Sequence, residues 1–149
     1  MPGITDILET ADLIESRLES VSALDGVEII VNRQKNLNNV IAQAVAKTAG
    51  AAIIIDAVRG EVIERGKLDM TNSYAISLWA NPVLRSSTST PASELLISIL
   101  GALHGWQPAP RTHPLRKITI TGWQITPDEN FLIYTVQADL DETIQPIEP

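Results

Sequence analysis

The stretch Pro91–Pro108, PASELLISILGALHGWQP, carries one apolar helix with a marked start and a marked stop. Thr90 can cap its first turn, Pro91 suits the first helical position, and Glu94 sits near the positive end of the helix dipole. Leu95, Leu96, Ile99, Leu100 and Leu103 recur at helical spacing and make a broad apolar stripe. Gly105 can adopt the left-handed conformation that ends a helix, and Pro108 prevents a restart. Only Glu94 and His104 are ionisable in this stretch. The helix is therefore expected to be covered on much of its circumference, as the spine of the core, with Trp106 pegging its exit.

Upstream of it, Tyr74, Ile76 and Leu78 alternate with Ser73, Ala75, Ser77 and Trp79, which predicts a half-buried strand broken by Asn81-Pro82. Arg85, Ser86, Ser87, Thr88, Ser89 and Thr90 then form a polar run, expected as a mobile loop. Downstream, Leu115–Ile125 (LRKITITGWQI) and Phe131–Ala138 (FLIYTVQA) are β-rich, and Pro127-Asp128-Glu129-Asn130 between them is turn chemistry, so the pair predicts a hairpin. Ile118 and Ile120 alternate with threonines, and Gly122 marks a bulge. Asp139–Pro149 is acidic and is expected to be an extended tail.

The first half of the chain supplies the remaining elements. Ile7, Ala11, Ile14, Leu18 and Val21 step by four and three, which predicts an amphipathic helix capped by Thr5 or Asp6, with Asp6 and Glu9 spaced as a capping box. Val27–Val31 reads as a strand after the Asp25-Gly26 turn. Leu37, Val40, Ile41, Ala44 and Val45 predict a second helix, capped by Asn36 and ended by Gly50. Ala51–Val58 (AAIIIDAV) is a short continuous apolar run, best explained as a strand covered on both faces. Arg59–Asp69 (RGEVIERGKLD), with two glycines and dense charge, is expected as a loop or a ragged hairpin excursion. The order α, β, α, β, β, α, β, β predicts an α+β fold, with a mixed, largely antiparallel sheet of about four or five strands and helices mainly on one face. Residues 1–138 form one domain in this reading and 139–149 the tail.

Composition narrows the function classes. A chain of 149 residues with 44% apolar content can bury a core of its own. It has no cysteine, which removes disulfide, thiolate-metal and cysteine-nucleophile chemistry. The N-terminus lacks the pattern of a cleaved secretion signal, and no apolar run is long enough to cross a bilayer. The net charge of −7 argues against sequence-independent nucleic-acid binding. Acids concentrate at the ends, while Arg59, Arg65, Lys67, Arg85, Arg111, Arg116 and Lys117 make the middle mildly basic. That layout suits head-to-tail contacts between copies, with Asp6, Glu9, Asp12 or the acidic tail meeting Arg59, Arg65, Arg111, Arg116 or Lys117 of a neighbour. Ordinary surface variation is the alternative explanation.

A search for chemistry returns little. His104 and His113 are the only histidines, and no HExxH or similar spacing surrounds them. His104 at a helix C-terminus is favourable as a partner of the dipole alone. No GxSxG, GxGxxG or GxxxxGK[ST] pattern occurs. Asp56 interrupts an apolar strand, as either a catalytic carboxylate or a strand-end acid reaching solvent. Neither a catalytic residue nor a cofactor or metal site is expected.

The element order of the second half, YAISLWANP (74–82), a polar loop, SELLISILGALHGWQP (93–108) and LRKITITGWQITPDENFLIYTVQA (115–138), resembles phage tail-terminator (tail-completion) proteins, including the minor tail protein U-like group. The amphipathic helix at Asp6–Val21 extends the likeness over nearly the whole chain, although Asn32–Asp69 adds little to it. The resemblance implies a ring, typically a hexamer, that caps the tail tube, stops its polymerisation and meets the neck or connector. Partners would be the tail-tube protein, with sheath and neck proteins beside it. The place would be the tail–neck junction of a virion assembled in the host cytoplasm. Arg85–Thr90 would be the loop facing tube or connector. Two rivals stand beside it: a head–tail connector or other α+β binding module, told apart by ring stoichiometry, and a small enzyme using Asp56 with His104 or His113, which requires those groups to converge.

Overall fold

The computed structural model describes residues 5–33, 41, 50–64, 69–81, 91–108, 116–128 and 131–144. Among these, two α-helices and five strands appear: α1 (Glu9–Glu19), β1 (Glu28–Val31), β2 (Ala51–Glu64), β3 (Asp69–Ala80), α2 (Ala92–Leu103), β4 (Thr119–Pro127) and β5 (Leu132–Thr143). The strands form one sheet in the order β1-β2-β3-β5-β4. β1 pairs with β2 in parallel and every other pair is antiparallel, so the fold is α+β with a mixed, mostly antiparallel sheet.

The run AAIIIDAV explains the middle of that sheet. Ile53 and Ile55 point into the main core beneath α1 and α2, whereas Ala52 and Ile54 point to the opposite face and meet Ile41. A strand covered on both faces has no polar phase to alternate with, which is why it reads as continuous apolar sequence. Across the register Ile53 faces Leu78 and Ile55 faces Ile76. Full burial of each such side chain contributes about 1.5–3 kcal/mol. On the second face Trp79 and Phe131 meet edge to face, with ring centroids 5.4 Å apart.

Both helices pack on the main face. α1 buries Ala11, Ile14 and Leu18. The expected capping box is not formed: Leu8 stands at the N-cap with no side-chain bond to the helix, while the Asp6 carboxylate accepts the Leu8 N–H at 2.9 Å and Glu9 reaches back to the Thr5 N–H at 3.4 Å, so the two acids tie the turn ahead of the helix. Ile7, expected in the buried stripe, precedes the first helical turn and is half exposed. α2 buries Leu95, Leu96, Ile99, Ala102 and Leu103. It is covered on one side only, since Ile97 is 66% exposed and Gly101 faces solvent. The sheet, not this helix, is the spine of the core. Pro91 stands one residue before the helix rather than within it. Gly105 takes φ +75° after α2, and its N–H then bonds the Ile118 carbonyl at 2.8 Å, turning the chain along the start of β4. The Arg17 Nε donates to the Ala102 carbonyl at 3.0 Å, and its guanidinium lies 5.4 Å from the Trp106 ring centroid. α1 thereby caps the end of α2, and Trp106 does hold its exit.

Three boundaries differ from the sequence reading. Arg59–Glu64 and Asp69 belong to a long β2–β3 ladder, not to a loop; shifts in register at Ala57/Arg59 and Val62/Glu64 carry the twist. Arg59–Ile63 of β2 is exposed, so its side chains follow no core-facing alternation. β5 continues to Thr143, so Asp139–Thr143 complete a strand between β3 and β4 rather than open a tail. β4 starts at Thr119, and its bulge falls between Ile120 and Gly122. Apart from Ile41, which is helical, the second helix (Leu37–Val45) lies outside the described residues, as does the Arg85–Thr90 loop.

Candidate interaction surfaces

Among the described residues, a buried polar constellation centres on Glu142 of β5, which is 2% exposed. Its carboxylate accepts the hydroxyls of Thr10 on α1 and Tyr74 on β3, and the Asn72 Nδ2 at 3.1 Å. Thr10, Asn72 and Tyr74 are themselves buried. Burial first, and the neighbouring Glu142 charge second, push the Tyr74 phenol well above its ordinary value of 10.0. With three donors converging on it, this carboxylate is satisfied and acts as a clamp between α1 and the sheet.

A cleft of about 140 Å³ opens beside the clamp, lined by Ile7, Val58, Gly60, Met70, Asn72 and Tyr74 among others. Gly60 is required there, because a Cβ would overlap the Asn72 Oδ1 and lie 2.9 Å from the Met70 Cε. Asn72 cannot yield without loosening its bond to Glu142. Gly60→Ala is therefore expected to destabilise the fold by about 1–3 kcal/mol, read from the urea midpoint, whereas Gly101→Ala, which meets nothing within 4 Å, is expected to be neutral or stabilising.

Among the described residues, the helices leave several apolar side chains of the sheet exposed. At the far end of the β2–β3 ladder Val58, Val62 and Ile63 are 58%, 55% and 54% exposed. On β4, Trp123 and Ile125 are 55% and 48% exposed. Trp123 pairs with the inward-facing Val136, and Ile125 with Tyr134, so both point to the helix side of the sheet, past the reach of the helices. β4 is also an edge strand. Gly105, Trp106 and His104 close its beginning, the His104 Nδ1 accepting the Ile120 N–H at 3.2 Å. Among the described residues, nothing pairs with the outer edge of Gly122–Thr126. No charged residue lies between Ile118 and Pro127, so the usual protection of an edge by charge is missing.

The charged candidates are mostly occupied within the chain. Asp6 and Glu9 serve the start of α1. Asp12 is paired with Arg33, and Arg59 stands 3.8 Å from Glu61 with both side chains exposed. Burial, then Glu19 and Asp12, raise the Glu15 carboxyl, a sign of the crowded negative charge along α1. Arg116 lies 3.9 Å from Asp69, whose other oxygen accepts the Thr143 hydroxyl at 2.6 Å. Lys117 is exposed beside it. Arg65, Arg111, His113 and the Arg85–Thr90 loop lie outside the described residues.

Of the enzyme candidates, Asp56 and His104 do not converge, and His113 lies outside the described residues. Asp56 on β2 accepts from the Asn32 side chain and pairs with Ala75 on the face away from the helices. His104 binds β4, three strand spacings away, or roughly 14 Å, on the helix side. Among the described residues no group of three or more histidines and carboxylates could hold a metal ion, and no helix is long and apolar enough to cross a membrane.

No protein-family model matches the chain, and no curated protein matches it. It is similar in fold to a solved structure that bears only a sequence label, at 10% identity and a TM-score of 0.52, covering 92% of this chain and 98% of that one. A solved structure from Akkermansia muciniphila aligns with a TM-score of 0.40 at 10% identity, covering 99% of this chain and 84% of that one. The first likeness concerns the fold alone.

Proposed function

We propose that this chain is a structural assembly protein of the phage tail-terminator type, which works by binding copies of itself and the end of a tail tube. The observation that carries the reading is the set of exposed apolar side chains on the sheet: Trp123 and Ile125 beside an edge that no described residue pairs, and Val58, Val62 and Ile63 at the end of the β2–β3 ladder. Exposed apolar side chains gathered beside an open edge favour a protein partner over bulk water. Two unlike patches on one subunit suit a heterologous contact, which closes into a ring when its rotation allows. The resemblance in element order supplies the type of ring: a cap on the tail tube at the neck of a virion.

Acidic residues at α1 and basic residues near β4 play a smaller part in this reading than their sequence positions imply, because Asp12 and Arg116 already have partners within the chain. Exposed ion pairs add little in any case. The test is polymerisation of tail-tube subunits followed by electron microscopy, with and without the full chain. Tubes of arrested length, with added density at one end, are the expected result; an unchanged length distribution and bare ends would refute the reading.

A further inference from the structure

The open edge of β4 has a hydrogen-bonding phase as well as an apolar face. Asp128 and Phe131 exchange both backbone bonds, at 2.8 and 3.4 Å, so they are a hydrogen-bonded pair at the turn of the hairpin. Antiparallel pairs alternate from there. Thr126, Gln124 and Gly122 therefore turn their N–H and C=O groups toward β5, and Trp123 and Ile125 turn theirs outward, where no described residue meets them. The other end of the strand agrees. Ile118 exchanges bonds with Trp106 and Gly105, and the Ile120 N–H donates to His104, so even positions face outward there. The bulge between Ile120 and Gly122 then resets the phase. Pro127, the next outward position after Ile125, has no N–H to leave unpaired.

The free stretch, Gly122–Thr126, is thus centred on Gln124, with one outward-facing residue on each side. We infer that two copies of this chain pair antiparallel through β4, about a two-fold axis at Gln124. Trp123 of each copy then meets Ile125 of the other as a hydrogen-bonded pair, and the two sheets run on as one. Both side chains lie on the helix side, so each pair is also an aromatic–β-branched contact across strands. The register is fixed by the backbone: a shift one way sets Ile125 against the bulged Thr121, and a shift the other way sets Trp123 against Pro127, which has no N–H to give. A strand that pairs with itself also brings any charge near its axis up against its own copy, and Ile118–Pro127 has none. Symmetry and neutrality together favour a second copy over a foreign strand. The pairing rests on the assembly reading and names the partner and register at this edge. An edge covered by a second β4 is closed to other strands, so this pair and a ring contact through the same edge exclude each other.

The chain has no cysteine, so single cysteine variants of the full chain report the register directly. Gln124 faces its own copy across the axis as a non-hydrogen-bonded pair, close enough for a disulfide. Thr126 is equally exposed on the same face, but in this register it lies roughly 14 Å from its own copy. Under mild oxidation Gln124→Cys is expected to cross-link at least about tenfold faster than Thr126→Cys, and sedimentation of the wild-type chain is expected to show the pair. A monomer without the cross-link would give the edge to a strand of another protein, and equal cross-linking of both variants would mean random collision; either result overturns the pairing. A larger assembly in which Gln124→Cys stays reduced also overturns it, while leaving the assembly reading standing. A pair cross-linked through Gln124 that leaves tail-tube length unchanged upholds the pairing and counts against the terminator reading alone.

Discussion

Replacing Glu142 by alanine is expected to lower the unfolding free energy by about 3–5 kcal/mol, measured by urea denaturation. The loss comes from what remains: Thr10, Asn72 and Tyr74 would keep buried donors with nothing to accept them. Tyr74→Phe removes one donor and leaves the carboxylate two, so it is expected to cost only about 1–2 kcal/mol. The pair of variants therefore separates a clamp from a mere packing site, at which Glu142→Ala would cost no more than Tyr74→Phe, a change that keeps the ring. Alkaline pH gives a second signature. The Tyr74 phenol is raised above its ordinary value of 10.0 in the folded chain. The unfolded chain then ionises first, so the contribution of Tyr74 to stability is complete below pH 10 and falls as pH rises beyond it. Tyr74→Phe is expected to remove that part of the alkaline slope.

The double variant Trp123→Lys/Ile125→Lys is expected to weaken assembly at least about a hundredfold, in line with the loss of a central aromatic anchor. Folding should change little, within about 1 kcal/mol, because both side chains are already half in water. A lysine pair also supplies the charge that natural edge strands use against pairing. Mass in solution read beside the urea midpoint checks both halves of the prediction. A variant that loses stability along with association would show that Trp123 and Ile125 hold the sheet rather than a partner.

The elements that could be read from sequence are those whose pattern one environment imposes. Ala51–Ile55 lies between two apolar faces, and Tyr74, Ile76 and Leu78 face one core, so periodicity reported them, although Val58, expected in the covered run, is exposed. Arg59–Ile63 is exposed, and nothing imposes an alternation on its side chains; two bulges blur the rest. Glu142 was hidden for a different reason. In sequence it is one more acid in an acidic run, and its role depends on Thr10, some 130 residues earlier, and on Asn72 and Tyr74. The available signal was the alternation of Val136, Ala138 and Leu140, which continues inward to Glu142. The exposed edge was hidden likewise: nothing local marks Trp123 and Ile125 as surface residues, because strand order, which leaves β4 outermost, is not a local property. The charged residues misled in the other direction, since their spacing along the chain concealed that Asp12 meets Arg33 and that Arg116 lies beside Asp69.

Assembly is the central claim, and the mass of the full chain in solution, alone and with preformed tail tubes, tests it most directly. The account predicts a closed multiple of the 16.2 kDa subunit that cosediments with tube ends and is lost in Trp123→Lys/Ile125→Lys. A 16.2 kDa monomer at every concentration, indifferent to tubes, would contradict it.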